Sequence, residues 1–112
     1  MAFERIAYPE LPWTAGANPL EGKKTAALGR ATLLRFAPGF ADPSWCDTGH
    51  AGYVIEGRLR MEIDGESQEV GPGEGFVIEP GTRHRAANAG EVAVVLFVAS
   101  YEASAAADSS SR

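Results

Sequence analysis

The sequence predicts an all-β, single-domain fold. Three observations carry this: apolar residues recur with a period of two, turn residues punctuate the chain at short intervals, and no segment holds a helical stripe. A length of 112 residues suits one core and no second module. Thirteen Gly and seven Pro supply the turns that many short strands require.

The elements follow in order. Residues 1–22 carry Pro9, Pro12 and Pro19 among several aromatics, including Trp13, and show little period. Proline disfavours helix interiors and central strands, so an extended arm is expected here. Its aromatics need burial on the body of the domain or on a partner subunit. In residues 31–36, Ala31, Leu33 and Arg35 alternate with Thr32, Leu34 and Phe36 and stop at Pro38-Gly39. Both faces are largely apolar, which predicts a strand covered on each side. Leu59, Met61 and Ile63 alternate with Arg58, Arg60 and Glu62, the pattern of a strand with one wet face. Asp64-Gly65 is a strong hairpin signal, and residues 68–70 begin the return strand. Gly71-Pro72-Gly73 turns the chain, residues 76–78 form a short apolar strand, Pro80-Gly81 turns again, and residues 92–99 are a near-continuous apolar strand. Residues 103–112 are small and polar and are expected to fray, leaving residues 23–102 as the folded body. Periodicity alone leaves a sandwich and a barrel both open.

Ten Lys and Arg against fifteen Asp and Glu give a net charge of −5. An acidic chain repels phosphate backbones, and no basic run interleaved with aromatics offsets this, so nucleic acid is not an expected partner. No apolar run has bilayer-spanning length, which argues against a membrane. Residues 1–10 lack a basic region followed by an apolar one, so no export signal is expected. The single cysteine, Cys46, excludes an intramolecular disulfide framework. A reducing, cytoplasmic setting is the expectation from these features.

The chemistry concentrates between Gly73 and Asn88, where Gly73, Gly81, His84 and Asn88 are spaced as in G-x5-P-x-G-x2-H-x3-N. Glu79 stands at the first proline position, with Pro80 directly after it. A glycine turn, a short strand, a Pro-Gly turn and a second strand aim His84 inward. This stretch resembles the second conserved motif of the cupin superfamily. The first cupin motif, G-x5-H-x-H-x3,4-E-x6-G, is similar to the segment that Gly39 opens and Gly57 closes. Counting back from Gly57 puts His50 at the Glu position, Cys46 at the second His and Ser44 at the first; the longer spacing would put Trp45 and Pro43 there instead.

The resemblance covers residues from about 30 to 100 and implies a double-stranded β-helix, a jelly-roll-like cupin barrel of two sheets around a pocket. It also implies metal positions at His84, His50 and Cys46. Those residue types suit a divalent transition metal (zinc, iron, nickel or manganese), with an open position for water. Against this stand bland readings: Cys46 as an apolar filler, and the histidines hydrogen-bonded to each other or to a ligand. Asp47 lies in a loop and is expected to face solvent.

Trp45, Tyr53, Phe76 and Phe97 are candidate ligand-binding aromatics, each equally explicable as core. Arg35, in an apolar strand, either pairs with a carboxylate or holds an anionic ligand. Arg83 and Arg85 flank His84 and should point away from it. Three functions follow: a small-molecule-binding barrel; a metal-dependent oxygenase, isomerase or lyase; or a purely structural dimerisation unit. A homodimer is expected from the apolar arm and strands and from the habit of the family.

Overall fold

The period of two becomes nine strands among the described residues, which are 3–16 and 18–101 of a computed structural model. In chain order they are β1 (Thr14–Ala15), β2 (Glu21–Thr25), β3 (Ala31–Phe36), β4 (Gly49–Glu56), β5 (Leu59–Ile63), β6 (Glu66–Val70), β7 (Gly75–Ile78), β8 (His84–Ala87) and β9 (Val94–Tyr101). All pairings are antiparallel. One sheet has the order β1-β2-β3-β9-β4-β7 and the other β6-β5-β8. Residues 40–46 run beside β8 through bridges at Ala41–Ala87 and Cys46–His84, which adds an irregular fourth row to the smaller sheet. After β3 the chain passes repeatedly between the sheets, so the two close on each other as a barrel.

Local chemistry explains the elements. Asp64 and Gly65 both have positive φ (50° and 80°), the backbone of a two-residue hairpin whose twist matches its strands. The register from Ile63–Glu66 to Leu59–Val70 follows from that turn. Leu59 and Met61 are buried while Arg60 between them is exposed, as the alternation requires. The core lies between the sheets, with Phe36, Phe40, Val54, Leu59, Val94 and Leu96 among its buried members. Phe36 and Phe40 stack with ring centroids 4.1 Å apart, pinning the turn after β3 to the start of the irregular row.

Two expectations are modified. β3 is not covered equally on both faces: Phe36 on the inner face is buried, but Arg35 on the outer face is exposed. The segment expected as an arm lies on its own sheet. Tyr8–Glu10 form a 3-10 turn, the Tyr8 hydroxyl donates to the Ala31 carbonyl (3.1 Å), and the Tyr8 ring meets Phe97 edge-on. β1 then joins the sheet edge, and residue 22 falls inside β2. The tail, 103–112, lies outside the described residues.

One buried side chain ties the strand ends together. The Asn88 amide, 2% exposed, donates to the carbonyls of Phe36 and Val92 (2.9 Å each), and its oxygen accepts from the Gly90 amide (3.0 Å). It thus joins the end of β3 to the turn between β8 and β9. Asn88→Ala removes three hydrogen bonds and strands the buried Phe36 carbonyl, and should lower stability by about 3 kcal/mol in urea unfolding. A loss under about 1 kcal/mol would show that the turn does not depend on this amide.

Candidate metal centre and cavity

The parity of three strand segments builds the site. Along residues 40–46 the even positions face inward: Phe40 is buried, and Asp42, Ser44 and Cys46 line a cavity between the sheets. On β4 the inward positions include His50 and Val54, and on β8 they are His84 and Ala86. The cavity holds about 280 Å³, and Leu34, Phe36, Met61, Phe76, Leu96 and Val98 form most of its apolar wall.

Cys46 and His84 are locked opposite one another by reciprocal main-chain hydrogen bonds, Cys46 N–H to the His84 carbonyl (2.8 Å) and His84 N–H to the Cys46 carbonyl (2.9 Å). Residues paired in this way project their side chains to the same face. His50 arrives from the opposite sheet: its Nε2 lies 3.9 Å from Cys46 Sγ, and its ring stands edge-on to that of His84 at 5.2 Å. The ligand atoms of Cys46, His50 and His84 all lie within 4.8 Å of one another. Tetrahedral zinc ligation asks for sulfur–nitrogen separations of roughly 3.5 Å, given bonds of about 2.3 and 2.0 Å. The donor set therefore fits such an ion with small side-chain adjustments.

The outer partners suit the same role. His84 Nδ1 donates to the Thr82 carbonyl (2.8 Å), which leaves the Nε2 lone pair available. His50 Nδ1 lies 3.1 Å from Ser100 Oγ, and the Thr48 amide donates to Cys46 Sγ (3.5 Å). Burial, and secondly His84, lower the pKa of His50 from the ordinary 6.5, against a smaller opposing pull from Asp42. The neutral ring, the form that ligates metal, is thus favoured.

Of the residues nominated to contact a ligand, only Phe76 lines the cavity. It does so because Gly52, its register partner, has no side chain: a Cβ there would run into the Phe76 ring. Trp45 faces outward, with Arg83 and Arg85 stacked over its ring at 4.8 and 4.3 Å. Arg85 also pairs with Glu62 at 2.9 Å. Tyr53 is half exposed on the outer face of β4, and Phe97 lies on the outer face of β9 against Tyr8. Among the described residues Arg35 neither pairs with a carboxylate nor reaches the cavity; it stacks over Trp13 at 4.8 Å. The reason in each case is parity, since their neighbours Cys46, Val54, Leu96 and Phe36 face inward. Asp42 and Glu21, which do line the cavity, were missed. Asp42 sits in a segment with no evident strand, though stepping by two back from Cys46 reaches it. Glu21 is paired with Phe36 in a strand whose sequence has no apolar alternation.

A pH dependence follows from His50. Its folded pKa lies below the unfolded 6.5, so the unfolded chain takes up this proton first as pH falls. His50's contribution is fully present above 6.5 and is lost as pH drops through the lower folded value. For chelator-treated protein, the urea midpoint should fall between about pH 8 and about pH 5.5, with a shallower slope in His50→Gln. Equal slopes in the two proteins would remove His50 as the cause.

The family model for the Cupin domain matches residues 32–100. No curated protein matches the chain. Among solved structures, KdgF from a Halomonas species has a TM-score of 0.73 at 23% identity, covering 88% of this chain and 94% of that one. A sugar phosphate isomerase of the cupin superfamily from Silicibacter pomeroyi has a TM-score of 0.72 at 14% identity, covering 88% and 76%. A conserved-barrel domain protein from Salinispora arenicola has a TM-score of 0.65 at 16% identity, covering 100% and 98%. At these identities the likeness speaks for the fold, whereas the family match spans more than half of the sequence. With its two motifs facing one cavity inside a two-sheet barrel, the chain belongs to the cupin-domain family.

Proposed function

We propose that the barrel binds a small molecule in its central cavity, beside a divalent transition metal held by Cys46, His50 and His84. The observation that carries this reading is convergence. The chain has one Cys and two His, and all three side chains meet at one cavity. Three protein ligands leave a coordination position for water or a ligand oxygen. Zinc, iron, nickel and manganese are the candidate ions, thiolate and imidazole favouring the first two. When bound, such an ion acts as a Lewis acid and lowers the pKa of coordinated water. The protein's own part is to hold the donors in register, to line the site with Phe76, Leu96 and Val98, to fix the His84 tautomer through the Thr82 carbonyl and to orient the His50 ring through Ser100. Cys46 must remain a free thiol for this role, which fits a reducing compartment. No helix among the described residues is long and apolar enough to cross a membrane.

Metal analysis of untagged protein purified without chelator should find about one equivalent per chain, and His84→Ala should lose it. After cobalt substitution, sulfur-to-metal charge-transfer absorption should be present and should vanish in Cys46→Ser. Failure of all four metals to bind on reconstitution would overturn the metal part of the reading. The open position also favours a second reading, an oxygenase, isomerase or lyase acting on the bound molecule.

We infer, too, that the chain forms a homodimer through the outer face of the larger sheet. Tyr53 and Val77 are 51% and 71% exposed on neighbouring strands there, a surface that a second copy would cover. Sedimentation should give a dimer at micromolar concentration, weakened by Val77→Lys; a wild-type monomer contradicts the inference.

A further inference from the structure

One donor of the candidate metal centre differs in kind from the other two. Cys46 stands where the first cupin motif has its second histidine, so a thiol replaces an imidazole in this chain. Imidazole withstands mild oxidants, whereas a thiolate sulfur is oxidised by them in a first, reversible step. Cys46 is half-buried and lines the cavity, within reach of a small oxidant. The Thr48 amide donates to its Sγ (3.5 Å) and His50 Nε2 lies 3.9 Å away, so the sulfur is held among the donors. It is the chain's single cysteine, so no second thiol of the same chain can capture an oxidised sulfur as an intramolecular disulfide. His84 marks the site independently of the thiol. It is 3% exposed, its Nδ1 is committed to the Thr82 carbonyl, and its Nε2 has no hydrogen-bond partner among the described residues. An ion held by Cys46 completes that lone pair. Met61 also brings sulfur to the cavity wall, but as a thioether outside the donor set.

We propose that Cys46 makes metal binding in this barrel redox-responsive: a hydroperoxide oxidises its sulfur, the ion leaves, and a small thiol restores the site. This rests on the reading of Cys46, His50 and His84 as a metal centre and adds its regulation. The Cys46 thiolate attacks one peroxide oxygen. A sulfur–oxygen bond forms, the oxygen–oxygen bond breaks, and the departing hydroxide or alkoxide takes a proton from solvent. Sulfur gives up two electrons, which the peroxide gains. The electron pair that sulfur offered a metal now binds oxygen, which leaves two imidazoles where a zinc site with an open position uses three protein ligands. A small thiol then condenses with the sulfenic acid, releasing water. A second thiol molecule attacks the mixed disulfide and returns Cys46 to its reduced form.

The test uses the full-length chain loaded with zinc alone, desalted and exposed to hydrogen peroxide. A chromogenic chelator reads zinc release. A sulfenic-acid-specific dione followed by peptide mass reads oxidation at Cys46 and separates it from oxidation at Met61. Release should advance in step with the Cys46 adduct. In a parallel sample without the dione, glutathione added after removal of peroxide should restore zinc binding. Cys46→Asp keeps an anionic donor that peroxide does not oxidise, and should release zinc at least about tenfold more slowly. Zinc retained while Cys46 is oxidised overturns the inference, and so does release while Cys46 stays reduced. Both outcomes are read on the wild type, so they decide the question whether or not the variant takes up zinc. Release from zinc-loaded Cys46→Asp at the wild-type rate overturns it as well. Wild-type protein that takes up no zinc overturns the metal reading and the inference together, at the loading step and before any peroxide is added. Loading followed by retention overturns the inference alone.

Discussion

The reciprocal hydrogen bonds between Cys46 and His84 are the contact on which the rest of the site depends. They occur in an isolated bridge, outside any regular strand of the first partner, yet they set which residue of an irregular segment faces which residue of β8. Because side chains alternate, a slip of one residue at this pair would bring Trp45 or Asp47 to the inner face and carry Cys46 out. The same register turns Asp42 and Ser44 inward and keeps the Trp45 ring outside. A main-chain contact thereby selects the donors, the acidic wall and the open volume together. Nearby contacts hold it: the Asp42 amide donates to the Ala86 carbonyl, Ala86 returns a bond to the Asp42 carboxylate, and the Gly81 amide donates to the Asp47 carbonyl.

Charge is divided between the surfaces of the barrel in a related way. Cations lie outside and are placed by flat aromatic rings: Lys24 and Arg35 over Trp13, Arg83 and Arg85 over Trp45. Both tryptophans thus serve as platforms for outward cations. Inside stand His84 and His50, the latter in buried surroundings that penalise its positive charge, together with carboxylates near the wall. Among the described residues no Lys or Arg lines this interior. The same division is seen in the smaller sheet, whose exposed face carries Arg58, Arg60 and Arg85 paired with Glu69 and Glu62, while Leu59, Met61 and Ala86 are buried on the other.

Size and openness are set by small residues as much as by large ones. Gly52 makes room for the Phe76 ring at the cavity wall, and Ala86 occupies the position on β8 next inward from His84. Neither residue draws attention as a functional candidate, because neither carries chemistry. Their contribution is volume: a side chain at Gly52 would displace the Phe76 ring, and a larger one at Ala86 would narrow the cavity.

Four features are legible before any tertiary contact is known: the all-β class, the Asp64-Gly65 hairpin, the inward strand at His84 and the association of Cys46, His50 and His84 with one site. The first three rest on spacing along the chain, which local sterics and a strict alternation of side chains convert into geometry, and the last rests on the resemblance to the two cupin motifs. The tertiary structure alone decided which aromatics and charges share the cavity. Phe76 does, while Trp45, Tyr53, Arg35 and Phe97 do not; Asp42 and Glu21 do, although the first lies in an irregular segment and the second in a strand without apolar alternation. The inner face of a strand is named only once its partners are known, and those partners lie far away in sequence: Glu21 opposite Phe36, Cys46 opposite His84, His50 opposite Ile78. An alternating pattern states that two faces exist. Only the packing of one sheet on the other states which of them encloses the cavity.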